Sequence, residues 1–292
     1  MTTPPPPVPT TRSPLVGADE LAAELAGGED LALLDVRWSL GVGSGANRAA
    51  YLEGHLPGAA FLDLEEGLSG PPSPDGRGGR HPLPAPGRVQ DALRAAGVRQ
   101  GRPVVVYDAR TSLGAARAWW VARHYGVPDV RVLDGGLNAW REAGHTVQAG
   151  PVDVTTGDVV LRAGGDGLLD ADGTRRWSAS GRQLLDARPA DRYRGENEVI
   201  DPVAGHIPGA LSLPALSLLS EDGTFLPADA LRTLVEQAGA DPDAPVALYC
   251  GSGVQAAHAA LALESAGLGP VRPAVYVGSW SDWISDPDRP VA

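Results

Sequence analysis

Short apolar runs punctuate the chain at 31–36, 103–107, 130–133, 183–187, 245–249 and 273–277. Each is dominated by Val, Leu or Ala, the pattern of strands buried on both faces of a parallel sheet. Amphipathic stretches of helical period lie near 88–96, 112–124, 228–238 and 254–266. That alternation predicts an α/β chain with mainly parallel sheets flanked by helices on both faces. Residues 144–176 are rich in Gly and Asp and read as a connector.

The pattern occurs twice. Leu33-Leu34-Asp35-Val36-Arg37 returns as Leu184-Leu185-Asp186-Ala187-Arg188, and Gly54-His55-Leu56-Pro57-Gly58-Ala59 returns as Gly205-His206-Ile207-Pro208-Gly209-Ala210. PVVVYD (103–108) returns as PVALYC (245–250), and LDGGLNAW (133–140) as YVGSWSDW (276–283). Four blocks in the same order at nearly constant spacing mark a duplication. The expected organisation is a Pro-rich disordered tail over 1–14, a first domain over 15–147, a linker over 148–176 and a second domain over 177–292.

Composition narrows the chemistry. The 292 residues carry a formal charge of −12 without a basic cluster, so the electrostatic footprint of nucleic-acid binding is missing. Every fixed cation is Arg; without Lys there is no Schiff base, Walker-type phosphate loop or Lys general base. One Cys excludes an intrachain disulfide and multi-Cys metal sites, and the six His form no HExxH-like ligand set, so no metal or organic cofactor is implied. No apolar run approaches a membrane span and the N-terminus lacks a signal-peptide core, from which a cytoplasmic protein without membrane partners is expected.

The remaining chemistry centres on Cys250. It ends an apolar strand, and Gly251-Ser252-Gly253-Val254-Gln255 leads into a helix. Open parallel sheets bind ligands beyond the carboxyl ends of their strands. A Gly-containing turn lets the N–H groups of residues 251–255 converge, and the helix adds its positive end. Such a cup favours a thiolate and holds a negatively charged persulfide. The alternative is a buried structural Cys. Asp108 occupies the matching place in the first half, which therefore has no thiol: one active and one supporting domain is the natural reading.

These blocks, the duplication and the Cys-led six-residue loop resemble the tandem rhodanese-domain sulfurtransferases, from about Leu15 to Trp283. The neutral loop CGSGV resembles the 3-mercaptopyruvate branch, whereas thiosulfate sulfurtransferases usually carry cations directly after the Cys. Gln255 stands where the family often has Thr. The resemblance implies sulfur transfer from a small donor through a Cys250 persulfide to cyanide or a thiol such as thioredoxin or a low-molecular-weight thiol. Ser252 would hydrogen-bond or protonate the donor. A donor carboxylate calls for Arg; the resemblance points to Arg188 and to Arg194 in preference to Arg192. Arg37 matches Arg188 in the other half, which leaves a structural role open. Some members use Ser, His and Asp together, which would make His55 catalytic, although His206 repeats its motif and both could simply hold a turn. No acid occurs in 38–50 to serve such a His. His81 resembles a cleft-lining residue, and Trp119, Trp120, Trp140, Trp280 and Trp283 read as packing residues.

Three competing readings follow. A protein-tyrosine phosphatase or arsenate reductase needs Arg six positions after the Cys, where this chain has Ala256. A thiosulfate-preferring enzyme of the same fold is the second. A non-catalytic tandem binding module is the third, and it has no use for a thiol in an anion-binding turn.

Overall fold

The computed structural model describes residues 12–162, 164 and 167–292. The first eleven residues of the Pro-rich segment lie outside them. The first sheet contains β1 (Leu15–Val16), β2 (Ala32–Asp35), β3 (Ala60–Phe61), β4 (Val104–Tyr107) and β5 (Val130–Leu133), all parallel, in the order β1-β5-β4-β2-β3. The second contains β6 (Leu168–Leu169), β7 (Gln183–Asp186), β8 (Ala210–Ser212), β9 (Val246–Tyr249) and β10 (Ala274–Tyr276), in the matching order β6-β10-β9-β7-β8. The six apolar runs are β2, β4, β5, β7, β9 and β10. The remaining strands are edge strands of two or three residues, too short to leave a periodic signature. Helices cover both faces of each sheet, and Asp108 and Cys250 follow the central strands β4 and β9.

The second domain begins earlier than 177. Strand β6 pairs with β10, and the helix Ala171–Ala179, capped by Asp170, packs against that sheet, as β1 and the helix Ala18–Ala26 do in the first domain. Residues 148–162 are held along the first domain: Gln148 pairs with His55, Gly157 N–H donates to Arg94 O, and Arg162 N–H to Tyr125 O. The connector is therefore partly sheet, helix and strap, which Gly and Asp content conceals.

The domains share one core. The helix Leu113–His124, leaving the Asp108 loop, packs on the helix Val254–Ser265, leaving the Cys250 loop. Both are buried nearly all round and rich in alanine, and Trp119, Trp120 and Arg123 of the first meet Ala260 and Glu264 of the second. Small side chains allow close approach of the helix axes. The apolar cluster runs without a break from Leu34 and Val106 in one sheet to Leu185 and Leu248 in the other. At its edge Phe225 N–H crosses to Asp134, and Arg123 pairs with Glu264 at 2.8 Å.

The two strongest repeated motifs hold each other. Arg37 grips Asp35 through Nε and Nη2, and Nη2 also donates to the carbonyl of Gly54, the first residue of the GHxPGA block, at 2.9 Å. In the second domain Arg188 grips Asp186 and donates to Gly205 O at 2.7 Å. Arg188 is fully buried and lies over the Trp280 ring. Its expected role as a carboxylate binder is therefore corrected: Nε and Nη2 are committed to the scaffold, and Nη1, 3.6 Å from Glu198, is enclosed away from any donor. His55 is corrected likewise. Its ring is buried, stacks on Tyr51 and donates from Nδ1 to Tyr51 O at 2.9 Å; His206 does the same with Tyr193. The thiol-free domain carries an identical arrangement, so neither motif is specific to sulfur chemistry.

Breaking a buried ion pair by removing one partner costs about 3–5 kcal/mol. Arg37→Met and Arg188→Met should each lose about that much in chemical denaturation, Arg37→Met showing that the loss is independent of the Cys250 domain. A second expectation concerns His258, buried in the domain interface against Phe225. Burial depresses its basicity from the usual 6.5 to about 3. The unfolded chain then binds a proton that the folded chain refuses, so stability falls as pH drops from about 6.5 towards 3. The melting temperature of a His258→Leu variant should decline less over that range than that of the parent.

Candidate active site

Cys250 is buried immediately beyond β9, and Gly253 N–H points at its Sγ from 3.1 Å. Gly253 sits at φ +83°, the left-handed conformation that turns the loop into its helix. The first domain shows what this arrangement holds. There Ser112 occupies the corresponding left-handed position, and its N–H donates to Asp108 Oδ1 at 2.9 Å; Arg110 and Gly114 N–H groups add bonds at 3.0 Å each. Burial pushes the Asp108 carboxyl up from its usual range while these donors oppose the shift. The supporting domain thus fills its own anion cradle with a fixed carboxylate. In the second domain a sulfur takes that place.

Around the sulfur the symmetry breaks. The first domain has Gly136 at φ +59°; the second has Ser279 at φ +56°, in backbone space that a side chain enters at a cost. The Ser279 hydroxyl accepts from Cys250 N–H at 3.0 Å and stands 3.9 Å from Sγ. The next residues pair with the loop backbone, Trp280 N–H with Cys250 O and Ser281 N–H with Gly251 O.

The first domain reaches over this loop with residues 76–82. Gly78 N–H bonds Asp282, and Arg80 N–H bonds the Ser281 hydroxyl. Gly79 comes so near Gly278 that a Cβ would stand 2.3 Å from its carbonyl oxygen. This clamp brings His81 onto Ser252: His81 Nδ1 lies 2.8 Å from Ser252 Oγ, and Nε2 lies 3.1 Å from Glu65 Oε1. The same Glu65 oxygen accepts from Trp38 Nε1 at 2.8 Å. The bond to His81 holds the Glu65 carboxyl below its ordinary range. An ionised Glu65 only accepts, so Nε2 carries the hydrogen and Nδ1 is free to accept from Ser252. The arrangement can move a proton to or from a group beside Cys250.

Gly251, Ser252 and Gly253 follow Cys250 in the loop, of which Gly253 N–H meets the sulfur and Ser252 Oγ meets His81, with Val254 buried and Gln255 half-buried in the first helical turn. The His and the acid beside Ser252 are His81, expected only to shape the pocket, and Glu65, which lies beyond the acid-free 38–50 loop. Arg194 is corrected as a loop-side cation. It faces solvent and pairs with Glu196, because two positions along a helical turn separate it from Arg192. The guanidinia beside Gly251 are those of Arg80 and Arg192. A Cβ there would stand 2.8 Å from Arg80 Nη2 and 3.6 Å from Arg192 Nη1. Both bond to Asp201, and Arg192 also to Glu198. Sequence reasoning missed Ser279 too, although the repeat marks it as the serine standing where the first half has Gly136.

Comparison with known proteins agrees with the duplication. The model of the rhodanese-like domain matches residues 17–143 and again 170–286. A Mycobacterium tuberculosis protein named "Putative thiosulfate sulfurtransferase SseB" is 46% identical over 282 residues, covering 95% of this chain and 96% of its own. The 3-mercaptopyruvate sulfurtransferase of Escherichia coli is 35% identical over 280 residues, covering 94% and 96%. The crystal structure of SseA from Escherichia coli, a 3-mercaptopyruvate sulfurtransferase, superposes with a TM-score of 0.79 at 34% identity, covering 92% of this chain and 99% of that one. Matched twice by the same domain and along nearly its full length by these relatives, the chain belongs to the rhodanese family.

Proposed function

We propose that this chain is a sulfurtransferase that takes sulfur from 3-mercaptopyruvate onto Cys250 and passes it to a thiol or to cyanide. The observation that carries the donor choice is the Ser252–His81–Glu65 relay beside Cys250. Relatives bear the names of both donors, so the distinction rests on chemistry. Thiosulfate gives up its outer sulfur and releases sulfite, an anion that needs no proton. Mercaptopyruvate gives up sulfur by breaking a carbon–sulfur bond, and the electron pair departs as the enolate of pyruvate. That leaving group must be protonated.

In the proposed step the Cys250 thiolate attacks the donor sulfur. A sulfur–sulfur bond forms, the carbon–sulfur bond breaks, and the proton of the donor thiol reaches the enolate. Ser252 sits where it can bond the donor carbonyl or thiol, and His81 can take or return its proton while ionised Glu65 stabilises the charged imidazole. The Gly253 N–H and the positive end of the helix Val254–Ser265 support the persulfide anion. Arg192 and Arg80, beside Gly251, are suited to a donor carboxylate. A thiolate or cyanide then attacks the outer sulfur, leaving as a new persulfide or as thiocyanate and restoring the Cys250 thiolate. The cycle is ping-pong.

Those same two guanidinia favour a second reading, a thiosulfate sulfurtransferase, since a compact dianion benefits from paired cations. Among the described residues no helix is long and apolar enough to cross a membrane. A cytosol rich in reduced thiols would supply both the acceptor and a reduced Cys250.

Cys250→Ser should abolish turnover with either donor. Ser252→Ala and His81→Gln should lower kcat/KM with mercaptopyruvate by about a hundredfold, the lower range for positioned acid–base groups, and change thiosulfate turnover much less. Steady-state kinetics with cyanide as common acceptor measures both. Equal losses with the two donors would assign the relay a structural role and favour the thiosulfate reading.

A further inference from the structure

The helix Leu113–His124 belongs to the domain without a thiol, yet it carries a fully buried cation, Arg117, to the edge of the Cys250 loop. Its Nε and Nη2 donate to the carbonyl of Leu68 at 3.3 and 3.2 Å, and Nη2 donates to that of His81 at 3.0 Å. Nη1 is buried without a hydrogen-bond partner among the described residues. That atom points across the domain boundary, where a Cβ on Gly253 would stand 3.0 Å from it. Gly253 is the residue whose N–H meets Cys250 Sγ.

Burying a guanidinium costs several kcal/mol unless an anion answers it. Carbonyls answer its hydrogens and leave its charge. The other charged groups around the loop have acids or bases of their own: Glu65 with His81, Arg80 with Asp201, and Arg192 with Asp201 and Glu198. Burial pulls Arg117 down to about 10, and the charge opposing that shift most is that of Cys250, ahead of Tyr125 and Glu65.

We propose that Arg117 is the charge partner of the sulfur anion on Cys250, thiolate before transfer and persulfide after it, lent by the domain that has no sulfur chemistry of its own. The proposal rests on Cys250 being the nucleophile. Arg117 acts across Gly253 as a positioning residue, and Gly253 must stay bare to let it: besides meeting Arg117, a side chain there would stand 2.4 Å from Val277 O. The inactive domain then does more than buttress the fold. It contributes His81 and Glu65 over the loop and a fixed positive charge beside Gly253.

The test is alkylation of Cys250 by neutral iodoacetamide near neutral pH, in which the thiolate displaces iodide, on the full chain and on Arg117→Lys and Arg117→Gln. Lysine keeps the charge and loses the fork of donors; glutamine keeps donors and loses the charge. Glutamine should slow alkylation about tenfold or more, as expected when a nearby opposite charge is removed from a thiolate, and lysine should retain most of the rate. Melting temperatures identify a variant that fails to fold, and the other variant then decides against the parent. If Arg117 only tied the carbonyls of Leu68 and His81, its loss would loosen the cover over a Cys that is 1% exposed, and alkylation would hold or rise. A glutamine variant as reactive as the parent, or a lysine variant as slow as glutamine, would overturn the proposal. A parent no more reactive than free cysteine would instead overturn the reading of Cys250 itself.

Discussion

Everything at the site depends on two alanine-rich helices lying close against each other. Each starts at the end of a central strand, so packing them together brings two strand-end loops into one cleft. Their alanine-rich sequences keep both helices slim, so that their axes can approach. A larger residue there would push the helices apart and lift the 76–82 clamp from Ser281 and Asp282. Because the apolar cluster is continuous across the boundary, the two domains hold a fixed relation. The hydrogen bonds from Ser252 to His81 and on to Glu65, which join the two domains, need that rigidity.

Duplication gives the molecule an internal control. What occurs identically in both halves belongs to the scaffold: the Arg–Asp grip on a glycine carbonyl, the His stacked on Tyr, the tyrosine hydroxyl accepting from Leu56 or Ile207 N–H. What differs is where function resides. Asp108 becomes Cys250, Gly136 becomes Ser279, and a sulfur stands where the first domain holds a carboxyl group. The supporting half, freed from sulfur chemistry, extends Glu65, Arg80, His81 and Arg117 into the other half's site.

Most of the architecture was legible because buried parallel strands announce themselves as apolar runs and because each motif occurs twice. The two-residue strands β1 and β6 were not, since two residues show no period. At the site, Cys250 and its loop were legible from strand–turn–helix context. His55 stands in a motif that His206 repeats, which is the mark of a scaffold residue, and the stacking on Tyr51 and Tyr193 shows that role in the folded chain. His81 and Glu65 are 16 positions apart and both far from Ser252 in sequence. Interdomain packing joins the pair to Ser252, and no local pattern encodes it. Arg117 was hidden for a similar reason: within an apolar helix it resembles a boundary charge, and its burial follows from the second domain.

The most direct test is mass spectrometry of the chain after incubation with 3-mercaptopyruvate and without any acceptor. The peptide containing Cys250 should be heavier by one sulfur atom, return to its original mass when cyanide is added, and remain unchanged in Cys250→Ser. A parent chain that gains no sulfur from mercaptopyruvate, or keeps it when cyanide is added, would contradict transfer through a Cys250 persulfide.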